Sequence, residues 1–377
     1  MIDFDKLLKV VVDQGASDLF VTAGLPPSIK VNGRMMPMSK TALTAEQARE
    51  MVHGTMTEPQ VHEFEAEREC NFAIHSPVAG RFRISAFYQR NFAGMVLRRI
   101  ETEIPTLDDL QLPAIVKELA MTKRGLVIFV GATGTGKSTS LAAMIGYRNE
   151  ESRGHIITIE DPIEFIHEHR GCMVTQREVG VDTPSFEVAL KNTLRQAPDV
   201  IMIGEIRSRE TMDYGLAFAE TGHLCLATLH ANNANQALDR VINFFPADRH
   251  DQVWMDLSLN LRGMVAQQLI PTPDGTGRRA AIEVLLNTPL VADNIRKGDV
   301  HNIKEIMTKG SEVGMQTFDQ ALYTLFKAGE ITYKDALASA DSANDLRLMI
   351  KLQGGDEEES GVQGLSLETN EDDIGVR

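Results

Sequence analysis

Four apolar runs in the second half of the chain are continuous instead of alternating, and each ends in residues able to do chemistry. They are Leu126-Val127-Ile128-Phe129-Val130, Ile156-Ile157-Thr158-Ile159, Val200-Ile201-Met202-Ile203 and Leu224-Cys225-Leu226-Ala227-Thr228-Leu229. A strand that is apolar on both faces is buried on both faces, the habit of a parallel sheet covered by helices. Thr139-Ser140-Leu141-Ala142-Ala143-Met144-Ile145 after the first run reads as a helix, so strands and helices alternate and the expected class is α/β. The first hundred residues have a different rhythm. From Arg81 to Arg90 apolar and polar positions alternate, with Phe82, Ile84, Ala86 and Tyr88 on one face and Arg81, Arg83 and Ser85 on the other, which predicts a half-buried strand. Asn32-Gly33 between two extended stretches predicts a hairpin turn, and Thr44 with Gln47 predicts a capping box at a helix start. The chain therefore divides into a small α/β domain on an antiparallel sheet over 1–100, a linker over 101–112, where Pro105 and Pro113 bracket a short connector, and a larger α/β domain over 113–353.

Composition narrows the class. At 377 residues and 43% hydrophobic the chain has room for two cores. Its apolar runs fall far short of the ~20 residues a membrane-spanning helix needs, so no direct membrane insertion is expected. Met1-Ile2-Asp3-Phe4-Asp5-Lys6 has neither a basic start nor an apolar core, so the expected compartment is the cytoplasm. Cys70, Cys172 and Cys225 are far apart and form no Cys-x-x-Cys pair, which argues against a zinc site or a disulfide framework. The formal charge of −15 weighs against nucleic acid as a partner. Much of that charge is local: residues 354–377 hold eight acids and one base, the composition of a disordered acidic tail.

Gly131-Ala132-Thr133-Gly134-Thr135-Gly136-Lys137-Ser138, followed by Thr139, fits the phosphate-binding pattern G-x-x-x-x-G-K-[ST]. Backbone N–H groups of such a turn, backed by a positive helix N-terminus, can cradle the phosphates of ATP. Lys137 is then placed for the β/γ-phosphates and Ser138 for Mg²⁺. Asp199-Val200-Ile201-Met202-Ile203-Gly204-Glu205 has the form of a Walker B strand whose terminal acid reaches the metal or its waters. Glu160-Asp161-Pro162-Ile163-Glu164 offers carboxylates to orient and deprotonate water, and spacing alone leaves open which of them does so. His223 and His230 frame the last apolar run, where a histidine could sense the γ-phosphate. In an open α/β sheet ligands bind beyond the carboxyl ends of the strands, so one site should collect all four motifs. An Asn-Lys-x-Asp motif for guanine and a Leu-Ser-Gly-Gly-Gln signature are both missing from the sequence, which excludes the GTPase and ABC readings.

The P-loop, the acid-rich box over 157–164, the segment ending Glu205-Ile206-Arg207 and the histidine box from Thr221-Gly222-His223 to His230 occur in the order found in secretion ATPases. Over residues 1–352 the chain resembles the retraction branch of that family, the PilT/PilU twitching-motility ATPases, in Gln14-Gly15-Ala16-Ser17-Asp18-Leu19 and Ala23-Gly24-Leu25-Pro26-Pro27 as well. The resemblance implies an N-terminal PAS-like domain on a RecA-like ATPase domain, Glu164 as general base and Glu205 supporting Mg²⁺. It further implies a homo-hexameric ring in which arginines, here Arg81 and Arg98, reach nucleotide across domains. It places the protein with an inner-membrane pilus platform protein at the cytoplasmic face of that membrane. The main retraction motors carry an Ala-Ile-Arg-Asn-Leu-Ile-Arg-like motif where this chain reads Val291-Ala292-Asp293-Asn294-Ile295-Arg296-Lys297. That departure, together with Asn344-Asp345-Leu346-Arg347-Leu348-Met349-Ile350-Lys351 and the acidic extension, is similar to PilU, and implies action beside a PilT-like partner.

Overall fold

The structure is a computed structural model that describes residues 4–31, 34–100 and 103–353. The expected Asn32-Gly33 turn and the acidic segment 354–377 lie outside the described residues. Two sheets organise the chain. The first has the strands β1 (Asp18–Thr22), β2 (Ser28–Val31), β3 (Arg34–Pro37), β4 (Glu69–Ser76), β5 (Gly80–Gln89) and β6 (Phe92–Arg99), in the order β3-β2-β1-β6-β5-β4, with every pairing antiparallel. Its alternation follows the reading of β5, where Phe82, Ile84 and Ala86 are buried among Leu19, Met95 and Leu97 and Ser85 faces out. The helix Ala45–His53 starts at the predicted capping box: the Thr44 side chain accepts from the Gln47 N–H and the Gln47 side chain from that of Thr44.

The second sheet has β7 (Gly125–Val130), β8 (Gly154–Glu160), β9 (Cys172–Glu178), β10 (Val200–Ile203), β11 (Leu224–Leu229), β12 (Leu261–Pro271) and β13 (Arg278–Leu286), in the order β13-β12-β7-β11-β10-β8-β9. All neighbours are parallel except the β12–β13 hairpin at one edge. Helices cover both faces, which is why the four apolar runs are continuous. On β7, Leu126, Ile128 and Val130 enter the core with Ile201, Ile203 and Leu257, while Val127 and Phe129 enter the opposite core with Leu141, Met144 and Ile156. Because β7, β8, β10 and β11 run parallel, their carboxyl ends lie along one edge, and that edge carries the chemistry.

Candidate nucleotide site

A pocket of about 560 Å³ opens at that edge, lined by the P-loop (Gly134, Lys137, Ser138), the acid box (Glu160, Asp161, Glu164), Glu205 and His230. The sequence-predicted motifs therefore meet at one place. The P-loop wall is built locally. Gly136 caps the helix Lys137–Glu151 at φ 86°, and a Cβ there would stand 2.7 Å from Nε2 of Gln267. At Gly131 a Cβ would meet Oγ1 of Thr135 at 2.5 Å. Both positions need glycine so that the turn can close against its own residues and β12. Lys137 is buried, and its Nζ donates to the carbonyls of Gly131 (2.7 Å) and Ala132 (2.8 Å). Burial pulls its pKa below the usual lysine value, while Glu205 and Glu164 pull it the other way. Behind the loop, Ser140 donates to Oε1 of the buried Gln267 at 2.7 Å, tying the helix to the neighbouring strand.

The opposite wall is assembled from distant residues. Glu205 is gripped at both oxygens, by His230 Nε2 at 3.1 Å on one and by Arg207 at 2.7 Å on the other, and Arg207 also reaches Asp161 at 3.4 Å. Thr228 of β11 donates to the carbonyl of Gly204 at 2.5 Å, and the Ile206 N–H returns to the Thr228 carbonyl, so the turn after β10 is laced to its neighbour. Glu160 ends β8 with its carboxyl buried. Desolvation raises its pKa to about 7, against the hydrogen bonds it takes from Thr158 (2.6 Å), Gln176 (3.1 Å) and the Glu164 N–H. Glu164, by contrast, is exposed in the pocket wall. His167 also lines the pocket, and burial lowers it to about 4, so it stands there as a neutral ring.

Arg81 and Arg98 are not among the residues lining this pocket within one chain. Arg98 is paired with Asp18 at 2.8 Å while its side chain remains 70% exposed, and Arg81 lies 3.8 Å from Glu178 of β9. His223 stays at the other end of β11, where its ring meets Thr221 at 3.1 Å. Sequence reasoning missed Leu269 and Arg278, which line the pocket from the β12–β13 hairpin. The one signal available was the turn-forming Pro273-Asp274-Gly275, which marks a hairpin without saying where its base lies.

Three comparisons bear on this geometry. The sequence model of the family described as Type II/IV secretion system protein matches residues 2–294. The chain is 73% identical over 374 residues to the Type IV pilus ATPase PilU of Pseudomonas aeruginosa, covering 98% of each. It is 40% identical over 338 residues to that organism's Type IV pilus retractation ATPase PilT, covering 90% of this chain and 98% of that one. Among solved structures, that of the pilus retraction motor PilT with bound ADP superposes with a TM-score of 0.87 at 38% identity, over 93% of this chain and 100% of that one.

Proposed function

The chain belongs to the Type II/IV secretion system protein family and, within it, to the PilT/PilU retraction ATPases, and from that premise we propose how its residues divide the work of hydrolysis. It is an ATPase of type IV pilus retraction. The observation that supports the site assignment is the gathering of four strand ends on one pocket. In this reading the N–H groups of the loop and of Ser138 and Thr139 receive the phosphates, and Lys137 exchanges its carbonyl partners for β/γ-oxygens. Glu164, accessible in the pocket that Glu205 also lines, orients and deprotonates the attacking water. Glu160 is the poorer base, because its carboxyl is buried and already committed to three donors. His230 and Arg207 hold Glu205 in one orientation.

Ser138 and Glu205 offer oxygen donors of the kind Mg²⁺ takes, and they are the residues that would hold it. When bound, that ion supplies charge neutralisation at the phosphates. Leu269 and Arg278 offer an apolar surface and a planar cation in the pocket lining, against which a purine ring can stack.

The working assembly in this proposal is a homo-hexamer at the cytoplasmic face of the inner membrane, engaged with the pilus platform protein and a PilT-like motor. Arg98, largely exposed, is offered to a neighbouring subunit's nucleotide. Hydrolysis per chain should then rise with protein concentration through the assembly range. A fully active monomer sinks this part of the proposal.

A second reading, an accessory subunit with weak retraction of its own, is favoured by the helix Pro289–Lys297. Asp293 there binds both Arg296 (2.7 Å) and Lys297 (2.5 Å), so two cations of the departed motif are engaged by their own helix. A strain that carries this protein and lacks the PilT-like motor separates the readings: poor retraction supports the accessory role, and full-speed retraction defeats it. ATP hydrolysis by the purified protein tests whether this subunit turns over.

A further inference from the structure

Two residues on one face of one strand hold the end of the acid box and the segment that follows it. Gln176 and Glu178 are two residues apart on β9, so their side chains share a face, and in register they stand opposite Thr158 and Glu160 of β8. Gln176 secures the segment just after the box: its Nε2 donates to the Phe165 carbonyl at 2.9 Å and its Oε1 accepts the His167 N–H at 2.8 Å. Glu178 secures the last turn of the box itself by accepting the Ile163 N–H on Oε2 at 3.3 Å. Glu164 lies between the two anchors. The same Oε2 of Glu178 is the atom that Arg81 approaches at 3.8 Å, and Arg81 comes from β5 of the other sheet.

We infer that Glu178 is a positioning residue that joins the acid box to the N-terminal sheet through Arg81, so that the placing of Glu164 follows the approach of the two halves of the chain. Only 4% of the Glu178 side chain is exposed, and a buried carboxylate needs both its cation and its hydrogen bonds. Burial raises its pKa, and the Ile163 N–H, Arg81 and Arg83 act in the opposite direction. If the N-terminal sheet moves off, Glu178 loses the cation and must turn toward water or take up a proton. Either change loosens its grip on Ile163. Arg81 therefore acts within its own chain, through Glu178, and not as a ligand of phosphate.

This inference rests on the reading of Glu164 as the base, and the two fail separately. Normal hydrolysis by Glu164→Gln sinks that reading alone. For the latch, kcat for ATP and Kd for ADP are measured on Arg81→Gln, Glu178→Gln and their double variant. Glu178→Gln keeps an oxygen for the Ile163 N–H and removes only the charge that Arg81 meets. Each single change should lower kcat about tenfold with Kd within about twofold, and the double should be no slower than either single by more than about twofold. Glu178→Ala, which also removes the acceptor for Ile163, should be slower again by about threefold or more. Arg81→Lys, which keeps the charge, should recover part of the rate lost in Arg81→Gln. A double variant slowed about a hundredfold, the product of independent effects, overturns the latch. So does a weakened Kd for ADP in Arg81→Gln alone, because that is the mark of a nucleotide contact. Thermal melting of each variant within a few degrees of the parent shows that the rates compare folded proteins.

Discussion

The two walls of the nucleotide pocket are made in opposite ways. The P-loop wall comes from nine consecutive residues, 131–139, at a strand-to-helix turn, with glycines where the backbone must close and a lysine held by its own loop. The opposite wall comes from residues 160–167, the end of the acid box and the segment after it, held by β9 and by the turn after β10, with Arg81 of the other sheet set against one of the β9 anchors, Glu178. A wall built on contiguous backbone is rigid and fails outright when its chemistry is removed. A wall hung on distant side chains can be adjusted, and its placing can depend on how the rest of the molecule is arranged.

The largest effect should come from the first wall. Lys137→Ala removes the one cation buried in the loop, and ATP hydrolysis should fall to background while the fold is kept. Parent-like turnover in this variant defeats the assignment of the pocket. Next is Glu164→Gln, which keeps shape and removes the base; hydrolysis should drop about 10²- to 10⁴-fold with ADP binding unchanged. If hydrolysis persists, Glu160 or Glu205 has the role.

A pair of buried or half-buried glutamines sharpens the contrast. Gln267→Ala leaves the Ser140 hydroxyl without its acceptor in the interior and should cost stability, about 1–3 kcal/mol, with kcat changed little. Gln176→Ala frees Phe165 and His167 at the pocket and should lower kcat about tenfold with a smaller loss of stability. Melting curves and steady-state rates on the two variants test this, and matching profiles would remove the distinction between the walls.

The smallest effect concerns pH. Glu160 in the second wall and Glu283, which accepts the Ala234 N–H at 2.7 Å, are both raised by burial from 4.5 to about 7. Across that window the folded chain binds more protons than the unfolded one, so these groups favour folding at the acid end and their contribution is lost as pH rises through about 7. Glu160→Gln should flatten the fall in melting temperature between pH 5 and 8 by a few degrees, and Glu160→Gln with Glu283→Gln should flatten it further. An unchanged slope in the double variant shows that other groups set it.

What could be read from sequence alone were the features in which neighbours along the chain determine structure. The continuous runs of β7, β8, β10 and β11, the alternation in β5, the Thr44 capping box and the P-loop all depend on spacing, on which residues tolerate a turn and on which faces must be buried. Parallel strands then bring their carboxyl ends together, which is why four separate motifs could be assigned to one pocket before any fold was known. Tertiary structure alone decided the partners. Arg81 alternates on β5 as an ordinary polar residue, and only the approach of two sheets sets it against Glu178; Leu269 and Arg278 reach the pocket only because β12 pairs beside β7. Charge pairing and pocket lining depend on distances between residues far apart in the chain, and no local pattern of apolar and polar positions encodes those distances.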